Sequence, residues 1–284
     1  MEVFMLGRFF YGEQVTSLIP ESGYSAQNGW CGQKGAGQVL MPNLVDKNRL
    51  PSNPQDVWET LVRQVMATAF IRRKVVLAGA TGLIGGYLLD MLLAEDSVAE
   101  VHALVRRPLK VSHPRLHCHR VDFAALPELP PIDEAYLALG TTLKVAGSHE
   151  AFHAVDLQAN LAVAMAAVRA GARRIGLVSA AGANAQSSVF YNRVKGELEE
   201  ALKSLELEAL VIARPSLLLD SRAHLGQPPR LAESVAIPMA RLIAPLIPGA
   251  YRPIHGKDVA RALLRSVLTA KGAHVLTSGD MVGR

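Results

Sequence analysis

The sequence predicts an α/β protein in which helices cover both faces of a doubly wound parallel sheet. Two observations carry this prediction. From Lys74 onward, short apolar runs alternate with longer amphipathic stretches, which is the pattern of strands connected by helices. Of the 284 residues, 50% are hydrophobic and only 5% are aromatic. This composition suits helices packed on a parallel sheet better than a β-sandwich.

The predicted elements follow one another in a regular order. The strands are KVVLAG (74–79), VHALVRR (101–107), LHCHRVDF (116–123), EAYLALG (134–140), RRIGLVSA (173–180), EALVIARPS (208–216) and a final HVLTS. The longer helices are expected near residues 83–94, 149–171, 188–204 and 257–270. A Pro-broken apolar region, residues 224–251, should form a small C-terminal region that covers the substrate.

The first 72 residues differ from the rest of the chain. Residues 1 to about 54 are rich in Gly, Pro, Asn, Gln and Ser and lack sustained periodicity, which is typical of loops. A helical pattern, QDVWETLVRQVMATAF, follows them. We therefore predict an N-terminal extension (residues 1–72) and a sheet domain (residues 73–284).

Composition also restricts the partners. The net charge is +5, but the basic runs are short and lie beside predicted strands, so we expect no nucleic-acid binding. No apolar run reaches about 18 residues, so we expect at most a peripheral membrane contact. Cys31 and Cys118 form no paired motif, and there is no secretory signal, which together favour a cytoplasmic location. We expect a monomer or a homodimer.

A glycine-rich turn follows the first predicted strand. Residues 79–86 read GATGLIGG, a G-x-x-G-x-x-G pattern that opens a helix and precedes a second strand. Glycines allow the tight turn, and N–H groups at the helix N-terminus attract the pyrophosphate of a dinucleotide. A purely structural turn is the alternative. The residues expected to contact the dinucleotide are Gly79, Thr81, Gly82, Leu83, Ile84 and Gly85.

The ends of the next two strands indicate which dinucleotide is bound. Arg106 and Arg107 stand where an acidic residue would bind the ribose hydroxyls of NAD. Arginines clamp a 2′-phosphate instead, so the sequence favours NADP(H) over NAD(H), with a solvated basic strand end as the alternative. Asp122, at the end of the third strand, is a candidate acceptor for the adenine amino group.

Tyr191 and Lys195 form the strongest catalytic pattern. In FYNRVKGELEE they lie one helical turn apart, so their side chains share a helix face. A nearby ammonium group favours the phenolate form of a tyrosine, which suits the tyrosine to exchange a proton with a substrate oxygen. The sequence therefore predicts Tyr191 as the acid/base and Lys195 as the residue that tunes it.

From residue 73 onward, the chain resembles the short-chain dehydrogenase/reductase superfamily of Rossmann-fold proteins. It is most similar to the atypical members that resemble the HIV Tat-interacting protein, which are NADPH-binding oxidoreductases. The matching segments, in the family's order, are GATGLIGG, VRR, LALGTT, LVSAAGA, YNRVKGELE and ARPSLLL. This resemblance implies hydride transfer between nicotinamide and a small carbonyl or alcohol substrate.

The resemblance also implies roles for single residues. Lys195 would bind the nicotinamide ribose, and Ser179 would orient the substrate carbonyl. The family often carries further serines where this chain has Ala180 and Ala181. Further residues expected beside the cofactor are Leu139, Gly140, Thr141, Pro215 and Leu218.

Two other functions have support in the sequence: a metal-dependent hydrolase and a protein that binds NADPH without turnover. His149-Glu150-Ala151-Phe152-His153 spells the H-E-x-x-H of zinc hydrolases, but no third ligand follows at a suitable interval. His117 and His119 share a strand face. We predict no metal at either pattern.

The second alternative is an NADPH-binding regulatory or scaffold protein with little or no turnover, which the missing serines beside Ser179 favour.

Overall fold

The computed structural model of the chain describes residues 72–220 and 248–282. Seven strands in these ranges form one parallel sheet in the order β3-β2-β1-β4-β5-β6-β7. They are β1 (Arg73–Ala78), β2 (Val98–Val105), β3 (Leu116–Arg120), β4 (Glu134–Leu137), β5 (Arg174–Val178), β6 (Ala209–Arg214) and β7 (Gly272–Thr277). The chain runs from β1 outward to β3, then returns to pair β4 with the other side of β1. This confirms the predicted doubly wound sheet.

Helices connect the strands across both faces of the sheet. They are α1 (Leu83–Ala94), α2 (Leu143–Ala146), α3 (His149–His153), α4 (Asn160–Arg169), α5 (Phe190–Lys203), α6 (Gly256–Thr269) and α7 (Ser278–Met281). A π-helical segment (Ala154–Ala159) joins α3 to α4, and a 3-10 turn (Gly249–Tyr251) precedes α6. The sequence predicts the longer helices correctly, but it predicts neither α2 nor the π-helical segment.

Alternate residues of β1 anchor two separate cores. Val75 and Leu77 pack with the apolar faces of α1 and α6, whereas Val76 and Ala78 pack with those of α4 and α5. All four are fully buried. Because both faces of the sheet are covered, its inner strands read as continuous apolar runs rather than as alternating patterns.

The helical stretch His149–Arg169 is the one helix among the described residues that is long and apolar enough to cross a membrane by length and composition. Val163, Ala164 and Ala167 of this stretch are fully buried in the core that it shares with α5. This packing is that of a core helix in a sheet domain.

Some sequence predictions fall on residues that the structure does not describe. These are the N-terminal extension, with its predicted helix QDVWETLVRQVMATAF, and most of the Pro-broken region, residues 224–247. The division of the chain at residue 72 and the substrate-covering role of that region stay predictions.

Candidate functional site

The turn after β1 requires glycine at two positions. Gly79 has a φ of 93°, and a Cβ there would lie 2.3 Å from the Ala138 carbonyl oxygen. A Cβ on Gly85 would lie 2.0 Å from the Gly79 carbonyl oxygen. Both distances are far below a van der Waals contact, so a side chain at either position would push the turn away from β4 or from α1.

The start of α1 leaves backbone donors available to a ligand. Gly82 precedes the helix in an extended conformation, its N–H donates to the Gly79 carbonyl oxygen (2.9 Å), and no side chain caps the helix. Free N–H groups at the positive end of the helix dipole stabilise a bound pyrophosphate. Leu83 and Ile84 are buried, so only their backbone groups are available to a cofactor, whereas Thr81 is exposed.

The carboxyl ends of β2 and β3 lie side by side because the two strands pair in parallel. Arg106 and Arg107 follow β2 directly, and both side chains are exposed. Within the described ranges, neither forms an ion pair. Asp122 is engaged in its own turn, since its Oδ1 accepts a hydrogen bond from the Ala124 N–H (3.0 Å). Two cationic groups are therefore available to a phosphate at this strand end.

A buried ion pair joins α5 to the π-helical segment. Lys195 Nζ lies 2.8 Å from Asp156 Oδ1, and Asp156 is fully buried. Asp156 Oδ2 accepts a hydrogen bond from the Thr141 N–H (2.8 Å). Gly140 lies against the pair, since a Cβ there would be 3.8 Å from Lys195 Nζ. The fold thus brings Lys195 together with the turn that the resemblance assigns to the cofactor ribose.

Asn160 ties the π-helical segment to the end of β4. This fully buried residue donates through Nδ2 to the carbonyl oxygens of Leu139 (3.2 Å), Val155 (3.3 Å) and Asp156 (3.1 Å). π-helical turns often occur at functional sites. Among the described residues, Asn160 Oδ1 is buried and has no hydrogen-bond partner, so it is an acceptor that a water molecule would satisfy.

The sequence predictions missed Asp156 and Asn160. The signal for both is a pair of polar residues four positions apart in the apolar run AVDLQANLAVA. An acid and an amide inside a helix that packs on a sheet need partners there. This requirement marks the two positions as parts of a site.

Tyr191 lies in the first turn of α5, one turn before Lys195, so the two side chains share a helix face. The ring of the fully buried Phe152 packs against the Tyr191 ring with centroids 5.6 Å apart. The neighbouring Phe190 stacks on His149 (4.0 Å between centroids). These ring contacts position the start of α5, which has no side-chain cap.

The H-E-x-x-H string forms the start of a scaffold helix. Ser148 Oγ accepts a hydrogen bond from the Ala151 N–H (3.1 Å) and caps α3. His153 Nε2 lies 4.0 Å from the Glu197 carboxylate. The His149 ring stacks on Phe190. Across residues 72–220 and 248–282, no group of three or more His, Cys, Asp or Glu side chains has the spacing of a metal site.

Ser179 follows β5 and is buried, but its hydroxyl already has a partner. Its Oγ donates to Glu199 Oε1 (2.5 Å), and the Glu199 carboxylate also accepts from Arg214 Nε (3.0 Å). The hydrogen bond to Glu199 raises the pKa of the Arg214 guanidinium above its ordinary value. Glu199 lies one turn beyond Lys195 on α5. The role of Ser179 toward a substrate stays a prediction.

The segment after β6 is tied to the turn after β5. Pro215 is buried, and its carbonyl oxygen accepts a hydrogen bond from the Ala181 N–H (2.9 Å). Leu218 forms a β-bridge with Ile254 and packs against the core that contains α1. Both residues follow the carboxyl end of β6, and their contact with the cofactor stays a prediction.

Known proteins support cofactor binding. The NAD(P)H-binding family matches residues 79–228. The chain is similar to the mitochondrial protein FMP52 of Eremothecium gossypii, with 34% identity over 204 residues that cover 68% of this chain and 88% of that protein. It is also similar to the mitochondrial protein fmp52 of Emericella nidulans, with 34% identity over 172 residues that cover 57% and 72% of the two chains.

Solved structures share the fold. MoeE5 in complex with UDP-glucose and NAD has a TM-score of 0.54 and 19% identity, covering 72% of this chain and 75% of that one. ADP-L-glycero-D-manno-heptose-6-epimerase of Helicobacter pylori has a TM-score of 0.55 and 13% identity, covering 73% and 77%. Identities this low show the fold alone.

The predicted cytoplasmic location is wrong. The relatives described above carry names that place them in mitochondria, as do further relatives with identities of 31% and 36%. Cysteine usage indicates a reducing environment, but it does not distinguish one reducing compartment from another. The family match and the sheet topology together show that this chain is a Rossmann-fold protein of the NAD(P)H-binding family and belongs to its Fmp52 group.

Proposed function

We propose that the chain is an NADP(H)-dependent oxidoreductase that moves a hydride between nicotinamide and a small carbonyl or alcohol substrate. The observation that carries this proposal is the position of Lys195. It shares a helix face with Tyr191, and Asp156 holds it beside the turn at Gly140. A lysine in this position is able to bind a ribose hydroxyl and to stabilise a phenolate at the same time.

The chain's own residues handle the proton. When bound, the dinucleotide supplies or accepts the hydride at the substrate carbon. In the reductive direction, Tyr191 donates its phenolic proton to the carbonyl oxygen, and the Lys195 ammonium stabilises the phenolate that remains. Oxidation of the alcohol reverses both transfers. Tyr191 is partly exposed, so a substrate oxygen has access to it.

Substitution of Tyr191 tests this role. The measurement is NADPH oxidation by the purified full-length chain across a panel of aldehydes and ketones. We expect Tyr191→Phe to lower kcat by about 10²- to 10⁴-fold, the typical contribution of an acid/base group, and to leave NADPH affinity within a factor of two or so. Unchanged turnover of a substrate that the wild type reduces would refute the acid/base role.

The two arginines after β2 support the preference for NADP(H). A phosphate on the ribose would be able to accept hydrogen bonds from Arg106 and Arg107, both exposed at that strand end. We expect the double variant Arg106→Ala/Arg107→Ala to bind NADPH at least about tenfold more weakly and NADH with little change. Equal losses for the two dinucleotides would contradict the preference.

A regulatory protein that binds NADPH without turnover is the second candidate. The Ser179 hydroxyl donates to Glu199, so it would have to give up a charge-assisted hydrogen bond worth about 1.5–3 kcal/mol to serve a substrate carbonyl. NADPH binding without reduction of any carbonyl compound in the panel would favour this candidate. The narrower resemblance to the Tat-interacting-protein-like oxidoreductases stays a prediction.

We also propose that the protein acts in mitochondria, on the basis of the names of its Fmp52 relatives. The test is fractionation of cells that express the full-length chain, with the protein followed by an antibody. Recovery in the mitochondrial fraction is the expected outcome, and recovery in the cytosol alone would contradict it.

A further inference from the structure

Aromatic rings connect the proposed acid/base to the protein surface. The ring of the buried Phe152 lies 5.6 Å from the Tyr191 ring and 5.7 Å from the Phe190 ring, measured between centroids. Phe190 in turn stacks on the exposed ring of His149 at 4.0 Å. Both Tyr191 and Phe190 are partly exposed. Helices α3 and α5 therefore share a continuous aromatic cluster that begins at Tyr191 and reaches solvent.

Aliphatic residues adjoin this aromatic cluster. Val189 directly precedes Phe190 in the chain and is 55% exposed. Helix α2 packs on α3, and its Val145 is 76% exposed. We refer to Val189 and Phe190 as the apolar surface. This surface is continuous with Tyr191, because Phe190 and Tyr191 are consecutive residues in the first turn of α5.

Exposed apolar side chains are concentrated near the carboxyl ends of the strands. Such side chains occur singly on most proteins and by themselves indicate nothing. Among the described residues, however, five of the ten exposed large apolar side chains follow the carboxyl ends of β4, β5 and β6: Leu143, Val145, Val189, Leu217 and Tyr251. Ligands of a doubly wound sheet bind at this end of the strands, in sites lined mainly by apolar groups. The placement therefore indicates a ligand rather than chance exposure.

The cation beside the apolar surface is engaged within the chain. The guanidinium carbon of Arg193 lies 5.6 Å from the centroid of the Phe190 ring, and Arg193 Nη1 donates to the Ser187 carbonyl oxygen (3.1 Å). Arg193 Nε also lies 4.0 Å from the Glu197 carboxylate. The charge of Arg193 is thus compensated by groups of the chain itself. A ligand on the apolar surface therefore gains mainly from the removal of apolar area from water.

We propose that the substrate is an apolar carbonyl compound, an aldehyde or ketone whose alkyl or aryl group lies on the apolar surface. This inference rests on the proposed oxidoreductase function and names its substrate class. Tyr191 follows Phe190 directly, so a carbonyl oxygen at the phenol hydroxyl leaves its substituent within reach of Phe190 and Val189. The hydride goes to the carbonyl carbon and the phenolic proton to the oxygen, so the product is an alcohol with the same apolar group.

The test is a series of linear aldehydes, from propanal to octanal, with the purified full-length chain and NADPH. A methylene that is fully removed from water contributes about fourfold in affinity. Because Val189 and Phe190 are themselves partly exposed, we expect kcat/KM to rise by about two- to fourfold per methylene up to hexanal. Linear alcohols from propanol to octanol provide a second series, measured by calorimetry on the NADPH complex, in which no hydride transfer is possible. Their dissociation constants should fall in the same order.

Val189→Ser tests the apolar surface with little risk to the fold. Val189 is the N-cap residue of α5, a position where serine is favoured. The variant should lower kcat/KM for hexanal by at least about fivefold and flatten both series. Leu268→Ser is the control, because Leu268 is 42% exposed in the last turn of α6, which leads to the amino end of β7. This residue lies at the opposite end of the strands from Tyr191, and its substitution should leave both series unchanged.

Tyr191→Phe separates this inference from the proposed function. It should remove most aldehyde reduction but keep the dependence of alcohol binding on chain length. Graded alcohol binding in a wild type that reduces no aldehyde would refute the proposed function and support the apolar ligand class. Equal affinity for propanol and octanol, or the same series in Val189→Ser as in the wild type, would overturn the inference. Loss of a concentration-dependent dimer in Val189→Ser, with no dependence on chain length, would assign the apolar surface to a second copy of the chain instead.

Discussion

Replacement of Asp156 by Asn tests whether the buried ion pair organises the site. Asn has nearly the same shape and still accepts the hydrogen bond from the Thr141 N–H, but it removes the charge that lies 2.8 Å from Lys195 Nζ. At an effective dielectric constant of about 20, two unit charges at this distance attract by about 6 kcal/mol. Desolvation offsets much of that attraction in the wild type.

The variant retains the desolvation cost of Lys195 without the compensating charge. Loss of one partner of a buried pair costs about 3–5 kcal/mol, which corresponds to a fall of about 6–20 °C in Tm for a domain of this size. Urea and thermal unfolding measure this loss. NADPH affinity should fall as well, because Lys195 is then free to leave the turn at Gly140.

An exposed ion pair on α5, the helix that carries Lys195, provides the control. Glu200 Oε1 pairs with Lys203 Nζ at 2.8 Å, but the Glu200 side chain is 62% exposed. Glu200→Gln should therefore cost no more than about 1 kcal/mol. In the double variant Asp156→Asn/Lys195→Met no charge is left unpaired, so its loss should be smaller than the sum of the two single losses. A loss below about 1 kcal/mol for Asp156→Asn would refute the role of the ion pair.

Three further predictions concern the turn, the sheet and the cap of α3. Gly85→Ala should abolish NADPH binding, measured by fluorescence, because the new Cβ would lie 2.0 Å from the Gly79 carbonyl oxygen. Gly86→Ala is the control and should still bind NADPH, because the nearest atom to its new Cβ is the Ala80 carbonyl oxygen at 3.8 Å. Glu134→Gln should destabilise the chain by about 3 kcal/mol in urea, since the buried Glu134 pairs with Arg73 (2.7 Å) and accepts from Tyr136 Oη (3.1 Å); a loss below about 0.5 kcal/mol would contradict this. Hydrogen bonds from the backbone and from Ser148 lower the pKa of the exposed Glu150, so its contribution to stability is present above the ordinary pKa and is lost as the pH falls through the lowered one. Ser148→Ala should move the Glu150 titration, followed by NMR, back toward its ordinary value, and an unmoved titration would show that Ser148 plays no part.

Local patterns predicted most of the fold. The strand–helix alternation from β1 to β7 follows from apolar periodicity, and the bounds of α1 match the prediction at both ends. The π-helical segment could not be predicted in this way. Its Asn160 neighbour donates hydrogen bonds to the carbonyl oxygens of Val155 and Asp156 within the segment and to that of Leu139, which lies 21 positions earlier in the chain.

The same distinction between local and long-range contacts holds for the candidate site. Sequence spacing brought Tyr191 and Lys195 to one helix face, because both lie on one helix. It could not reveal that Lys195 pairs with Asp156 or that Ser179 donates to Glu199, since each contact joins residues from different elements. Partners across a fold depend on which strands and helices become neighbours, and local spacing carries no information about that.

The sequence by itself determined the order of strands and helices, the position of the glycine turn and the chemical types at the strand ends. Tertiary structure alone decided which of these groups meet. The two histidines of the H-E-x-x-H string have different partners, because His149 stacks on Phe190 and His153 lies 4.0 Å from the Glu197 carboxylate. Lys195 and Asp156, far apart in the sequence, come within 2.8 Å because α5 packs against the π-helical segment. Local propensity requires only neighbours along the chain, whereas ligand geometry requires neighbours in space.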